Sequence, residues 1–370
     1  MGHNSHKLHQ HCSLFRNSFI LLPQLTPKRR VMYMSSTQSQ NGPQPIQRLR
    51  RGRDMLFLGG LLALMLFGLI SLAAATGWDE TKAQLAKLTL TNIFVLLALS
   101  LANYLLRGLR WHLFARRLGL PTTLMQDLRH FLGGFAMSVT PGRVGELIRM
   151  RWLKREAGWA VERTAPLVLM DRASDLTAIA IILAVSVSLT TTGISGAFPV
   201  TLIAIGLAVI ATRPALLTSF VTYTHKFIGR WSRLFGRIRM AARSLKQFSG
   251  AAVMLPTLTL GLLGWLAEGY AFFLLLGWLG ADIGLAMAVA VFVFSTLAGG
   301  LTGAPGGVGG AEAAMIAILG MKGVPLEISL PATAIIRITT LWFAIGIGLA
   351  VFPFAERISL RKQKNALENR

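Results

Sequence analysis

The chain has 370 residues, 53% of them hydrophobic and only 14% charged, with a mean hydropathy of +0.55. Charged residues make up about 25% of an ordinary soluble domain, so a water-soluble enzyme or binding module is excluded. The net charge of +23 would suggest nucleic acid in a soluble protein. Here the bases lie between apolar runs and no aromatic–basic module accompanies them. No nucleic-acid partner is expected, and the charge is assigned to the cytoplasmic membrane face and its anionic lipids.

Residues 1–54 are polar, basic and without sustained periodicity, which predicts a disordered tail. His3, His6, His9 and His11 beside Cys12 either bind a metal or belong to a flexible leader. The leader is the preferred reading, with no metal or other cofactor expected. Met34 opens Met-Ser-Ser-Thr-Gln-Ser, so residues 1–33 are expected to precede the working start. Arg48, Arg50, Arg51 and Arg53 then flank an apolar run from Met55 to Thr76. That run is longer than a signal-peptide core and predicts an uncleaved first span with a cytoplasmic N-terminus.

Further spans are predicted over Leu88–Leu106, Pro166–Leu189, Phe198–Thr212, Val253–Leu279 and Pro331–Phe354. Arg107, Arg110, Arg116 and Arg117 follow the first of these and are read as cytoplasmic markers, as are Arg149, Arg151, Lys154 and Arg155. The acid-free loop from Arg213 to Gln247 carries seven spaced bases after Arg213, with Phe227, Trp231, Leu234, Phe235 and Ile238 at helical spacing. It predicts an amphipathic helix on anionic lipid. Residues 355–370 form a basic cytoplasmic C-terminal tail.

Two apolar stretches are interrupted. One reads Ser138-Val-Thr-Pro-Gly-Arg-Val-Gly-Glu-Leu147, the other Gly303-Ala-Pro-Gly-Gly-Val-Gly-Gly-Ala-Glu312. Proline removes an amide donor and glycine frees the backbone, so helix fails at both. At membrane depth a broken backbone survives only when buried in protein or lining a wet cavity. Bases flank the first stretch on both sides, which predicts a hairpin dipping in from the cytoplasm. The second is predicted to dip from the opposite side. The expected fold is all-α: a polytopic transmembrane bundle over residues 55–354, with an inverted-topology repeat. Its halves cover about 88–191 and 252–354, each containing a re-entrant broken helix.

Arg110-Trp-His-Leu, Gly134 to Leu147, Asp171-Arg-Ala-Ser-Asp175 and Pro305-Gly-Gly-Val-Gly-Gly-Ala-Glu312 together resemble the lysylphosphatidylglycerol synthase transmembrane region, or flippase-like domain family. The resemblance covers roughly Met55 to Phe354. It implies a multi-pass bacterial inner-membrane protein that moves a lipid or lipid-linked headgroup between leaflets. Full-length synthases carry a soluble aminoacyl-transfer domain after this region. This chain stops soon after its last span, so that enzymatic activity is not expected here.

An ionisable group at the bilayer centre costs roughly 2.5–3.5 kcal/mol on insertion scales and needs a reason. Arg143, Arg172 and Arg337 are the candidate contacts for a lipid phosphate, since guanidinium binds phosphate bidentately. Glu146, Asp171, Asp175 and Glu312 would hold those arginines or exchange protons. Pro141, Gly142 and Gly145, with Pro305, Gly306, Gly307 and Gly309, are the hinge candidates, presenting helix N-termini to the anion. The competing reading is a structural ion-pair network. Glu268 is read as a structural contact, and His112 and His130 as interfacial rather than metal ligands. No catalytic triad or metal-spaced cluster appears. An anionic phospholipid or a polyprenyl-phosphate-linked lipid is the expected partner. The alternatives are a membrane-embedded lipid-phosphate enzyme, or a partner subunit holding a lipid-modifying enzyme.

Overall fold

A computed structural model describes residues 78–138, 144–190, 214–228, 245–248 and 250–368, with isolated positions elsewhere. The expected tail, the first span at 55–76, most of the span at 198–212 and most of the basic loop lie outside these residues. So do Pro141, Gly142 and Arg143.

The described residues are helical throughout. They form α1 (Trp78–Leu85), α2 (Leu90–Arg117), α3 (Leu124–Gly134), α4 (Val144–Ala157), α5 (Val161–Ser188), α6 (Pro214–Ile228), α7 (Ala251–Trp278), α8 (Leu285–Leu301), α9 (Gly310–Met321), α10 (Leu326–Arg337) and α11 (Phe343–Glu368). Helix α2 starts because the Thr89 hydroxyl accepts from the Asn92 amide at 3.2 Å, satisfying one of the free first-turn donors. It stops at Gly119, where Leu120 N–H returns to the Ala115 carbonyl at 3.0 Å and Gly119 N–H to Arg116 at 3.0 Å. Among the described residues, Leu90–Arg117, Ala251–Trp278 and the stretch Leu326–Ala366 are long and apolar enough to cross a membrane. Helix α5 matches α2 and α7 at 28 residues, about 42 Å at 1.5 Å per residue. Its buried charges lower its hydropathy. The protein is a multi-pass helical membrane protein.

A long helix, two short ones and a long one follow each other twice: α2, α3, α4, α5, then α7, α8, α9 and α10–α11. The two long helices that open these series pack antiparallel. Lys87, before α2, donates to the Leu279 carbonyl after α7 at 3.4 Å, and Arg117 ending α2 donates to the Gln247 carbonyl before α7 at 2.9 Å. Two apolar clusters fill the interior. One, at the α8–α9 end, joins Leu96 of α2, Ile182 of α5, Phe272 of α7 and Ile336 of α10. The other, at the α3–α4 end, joins Trp111 and Phe114 of α2, Met170 of α5, Phe131 of α3 and Ala344 of α11.

Both short-helix pairs are hairpins with close arms. In the first, α3 runs into a tight 3-10 turn at Phe135–Met137, and α4 opens with Gly145 against the Gly134 carbonyl, where any Cβ would collide. In the second, Gly306, Gly307 and Gly309 have φ of 64°, 67° and 87°, which side-chain-bearing residues avoid. A Cβ on Gly307 would also press on Gly299 of α8. Helix α11 does not end at Phe354 but continues to Glu368. Its Glu356 accepts from Arg151 (2.9 Å), Arg155 (2.8 Å) and Trp152 (2.7 Å) of α4.

Candidate functional site

Between the two apolar clusters, the long helices carry their charges at one level. On α5, Asp171 and Asp175 are four residues apart and share a face. On α2, Arg107 and Arg110 share the facing stripe. Arg110 is fully buried, and its Nη2 donates to Asp171 Oδ1 at 2.5 Å and to Asp175 Oδ1 at 2.8 Å. Arg107 Nη2 donates to Asp175 Oδ2 at 2.6 Å, and the Trp265 indole N–H of α7 donates to Asp175 Oδ1 at 3.2 Å. Burial makes such pairs costly to open: removing one partner of a buried pair costs about 3–5 kcal/mol.

Helix α4 closes the cluster from the first hairpin. Glu146 Oε1 lies 2.7 Å from Arg172 Nε, while Arg172 lies 3.5 Å from Asp171 and 3.4 Å from Asp175. Arg172 is the most open member, with its side chain 32% exposed. Arg149 is the opposite case. It is buried, its guanidinium lies 4.3 Å from the centre of the Phe131 ring and 5.2 Å from that of Trp111. Its nearest carboxylate oxygen, on Asp171, is 3.9 Å away. Two of its nitrogens, Nε and Nη1, have no hydrogen-bond acceptor among the described residues. Four arginines (107, 110, 149, 172) therefore face three carboxylates (146, 171, 175).

The second hairpin is held differently. Arg337 Nε donates to Glu312 Oε1 at 2.6 Å, and its Nη2 donates to the Gly306 carbonyl at 2.9 Å. Glu312 Oε2 accepts from the Gly309 amide at 2.7 Å. This one ion pair ties two backbone points of the Gly-rich turn, the Gly306 carbonyl and the Gly309 amide, to α10. Immediately after Arg337 the helix widens into a π turn, Ile338–Trp342, whose Thr340 carbonyl accepts from the Tyr104 hydroxyl at 2.5 Å. Of the predicted site residues, Glu146, Asp171, Arg172 and Asp175 come together in one cluster, and Glu312 pairs with Arg337 in another. Arg143, Pro141 and Gly142 lie outside the described residues.

Three arginines expected at the membrane surface are corrected. Arg107, Arg110 and Arg149 are buried, because the carboxylates of α5 and the aromatic rings of α2 and α3 draw them inward. The signal was present in α2: Ser100, Asn103, Arg107 and Arg110 are spaced three, four and three, one polar stripe on an apolar helix. His130 is also enclosed by protein. It is fully buried, and its Nε2 lies 3.0 Å from Glu156, which also accepts from Gln126 at 2.7 Å and Arg129 at 2.6 Å. His112 pairs with Asp127 at 2.6 Å. No group of three or more potential metal ligands occurs among the described residues.

An ionic layer between apolar clusters in a bundle of long apolar helices defines a polytopic membrane protein with a charged midsection. The chain belongs to the lysylphosphatidylglycerol synthase TM region family, whose profile matches residues 56–348. It is also 25% identical over 318 residues to a UPF0104 membrane protein of Methanothermobacter thermautotrophicus, covering 79% of this chain and 94% of that protein.

Proposed function

We propose that the protein moves an anionic phospholipid or a polyprenyl-phosphate-linked headgroup between the leaflets of a bacterial inner membrane, without altering it chemically. The observation that carries this reading is Arg149: a buried guanidinium whose Nε and Nη1 find no acceptor among the described residues, backed by aromatic rings and beside the first broken helix. A lipid phosphate supplies the acceptors it lacks. Arg172, the most open arginine of the cluster, is the entry contact, and Arg143, three residues before Glu146, is the third arginine of the path. Family membership supports a lipid-related role.

The antiparallel α2 and α7 support an inverted repeat with halves near 88–191 and 252–354, re-entrant hairpins from opposite sides, and both termini in the cytoplasm. Alternating access then consists of one half rocking on the other about the charged layer. Glu312 and Arg337 are structural in this scheme. Their hydrogen bonds go to each other and to the backbone of the turn.

Purified protein in liposomes separates this from its rivals. Leaflet exchange of a labelled anionic lipid with unchanged lipid mass is the expected result. A change in lipid mass establishes an enzyme instead. No exchange, with a lipid-modifying enzyme co-purifying from native membranes, establishes a partner subunit.

A further inference from the structure

One buried acid takes no part in either cluster. Glu268 of α7 is 5% exposed, yet no arginine or lysine nitrogen lies within 4.0 Å of its carboxylate among the described residues. This contrasts with Asp175, which has three arginines within 3.4 Å. Glu268 stands between the two clusters. From α2 it is faced by Arg107, Tyr104 and the neutral Asn103, from α5 by Asp175 and from α10 by Arg337. Helix α8, also packed against α7, has no ionisable side chain. The contact with α2 is close, since a Cβ on Gly264, one turn from Glu268, would strike Asn103.

The charge count across the layer turns on this residue. Arg107, Arg110, Arg149, Arg172 and Arg337 oppose Glu146, Asp171, Asp175, Glu312 and Glu268. With Glu268 ionised the described layer, a count that leaves out Arg143, is neutral. With Glu268 protonated it carries one uncompensated positive charge, which a phosphodiester monoanion cancels. Glu268 is also the acid of the described layer that has no arginine or lysine nitrogen within ion-pair distance.

Two buried hydroxyls on α10 offer stepping points for that proton. Thr333 and Ser329 lie one and two turns before Arg337 on its face, both fully buried, and neither hydroxyl has a hydrogen-bond partner among the described residues. They run from the charged layer toward the start of α10, with Ser329 about 12 Å from Arg337 along the axis at 1.5 Å per residue. Buried hydroxyls without partners are the exception in folded proteins and are places for water.

We infer that Glu268 is a proton-binding site that couples proton uptake to binding of the anionic headgroup, so that proton and anion cross together. The proton arrives from water along the Ser329–Thr333 stripe and adds to the Glu268 carboxylate. The neutral acid leaves the arginines in excess by one, and the anion is bound. On the other side the anion leaves, the layer's positive charge returns, and the proton is released to water. Linkage makes the coupling reciprocal: acid strengthens anion binding, and bound anion strengthens proton binding. The inference rests on the lipid-translocation reading for its substrate, but the proton site is testable without transport.

The test uses the full chain in vesicles of phosphatidylcholine and fluorescent phosphatidylglycerol, whose phosphodiester keeps one charge across the neutral range. Wild type is expected to bind and exchange the labelled lipid more as pH falls, and to exchange faster down an imposed proton gradient. Glu268→Gln mimics the protonated acid. It should bind the lipid at the acid-limit affinity at every pH and lose the response to the gradient. Glu268→Asp, which keeps a carboxyl, should retain a pH response with a displaced midpoint. Infrared difference spectra on acidification should show a protonated-carboxyl band that is absent from Glu268→Gln. Exchange that ignores pH and gradient in wild type overturns the coupling while leaving translocation standing. Absence of the Glu268 carboxyl band overturns the proton site whatever the lipid result. If no lipid exchanges but the band is present, translocation fails and the proton site survives.

Discussion

The two broken stretches share Pro-Gly, then Val-Gly, then a glutamate, yet their surroundings differ in kind. Around the second, one arginine and one glutamate satisfy each other and the turn: Arg337 reaches Glu312 and the Gly306 carbonyl, and Glu312 reaches the Gly309 amide. Around the first, Glu146 and Arg149 of α4 join five charged residues from α2 and α5, with Arg172 partly open and Arg149 holding donors without acceptors among the described residues. One motif is thus held in a closed clamp, and the other joins a larger cluster of four arginines and three carboxylates. A sequence signature for broken helix does not say which.

The sharpest break in this comparison is Glu312→Ala. It leaves buried Arg337 with no ion-pair partner among the described residues and frees the Gly-rich turn. A loss of about 3–5 kcal/mol is expected, read as a large fall in the thermal midpoint in detergent, with transport lost only in proportion to folded protein. Arg172→Ala should do the reverse. Its side chain is partly open, so the fold should persist. Removing a charge-assisted contact worth about 1.5–3 kcal/mol should cut headgroup affinity roughly tenfold to hundredfold. Arg143→Ala is expected to behave likewise, and normal exchange in both variants removes those roles.

Asp171→Asn is intermediate. Arg110 keeps Asp175, and Arg172 keeps Glu146 and Asp175, so redundancy should hold the stability loss to about 1–3 kcal/mol. The smallest effect belongs to the clasp at the end of α4. Burial alone would raise the Glu156 carboxyl, but the His130 hydrogen bond and the charges of His130, Arg129 and Lys362 hold it below its ordinary value. A depressed carboxyl stabilises the fold above its unfolded-state value, and that contribution fades as pH falls through the folded value. Thermal midpoints should therefore drop on acidification, by less in Glu156→Gln. Equal slopes would remove Glu156 from the account.

Much of the architecture was legible in the sequence because membrane helices must be long and apolar and breaks must carry glycine or proline. The bounds of α2, α5 and α7 fell within a few residues to about a turn of their apolar runs, except where charge confused the edge. Arg107 and Arg110 were assigned to the surface because a charge after an apolar run looks like a membrane boundary. Their carboxylate partners sit more than sixty residues away on α5, a pairing that one-dimensional pattern cannot supply. Arg149 was hidden among four neighbouring bases, of which Arg151 and Lys154 are exposed. Glu268 was read as a structural contact, since sequence does not show that no cation pairs with it among the described residues.

The central claim is that the charged layer holds an anionic headgroup. Native mass spectrometry of the protein extracted with its lipids measures that directly, comparing wild type with an Arg149→Gln, Arg172→Gln double variant of matched thermal stability. The account predicts an anionic lipid retained by wild type and lost by the variant. Equal retention of the same lipid by both proteins would contradict it.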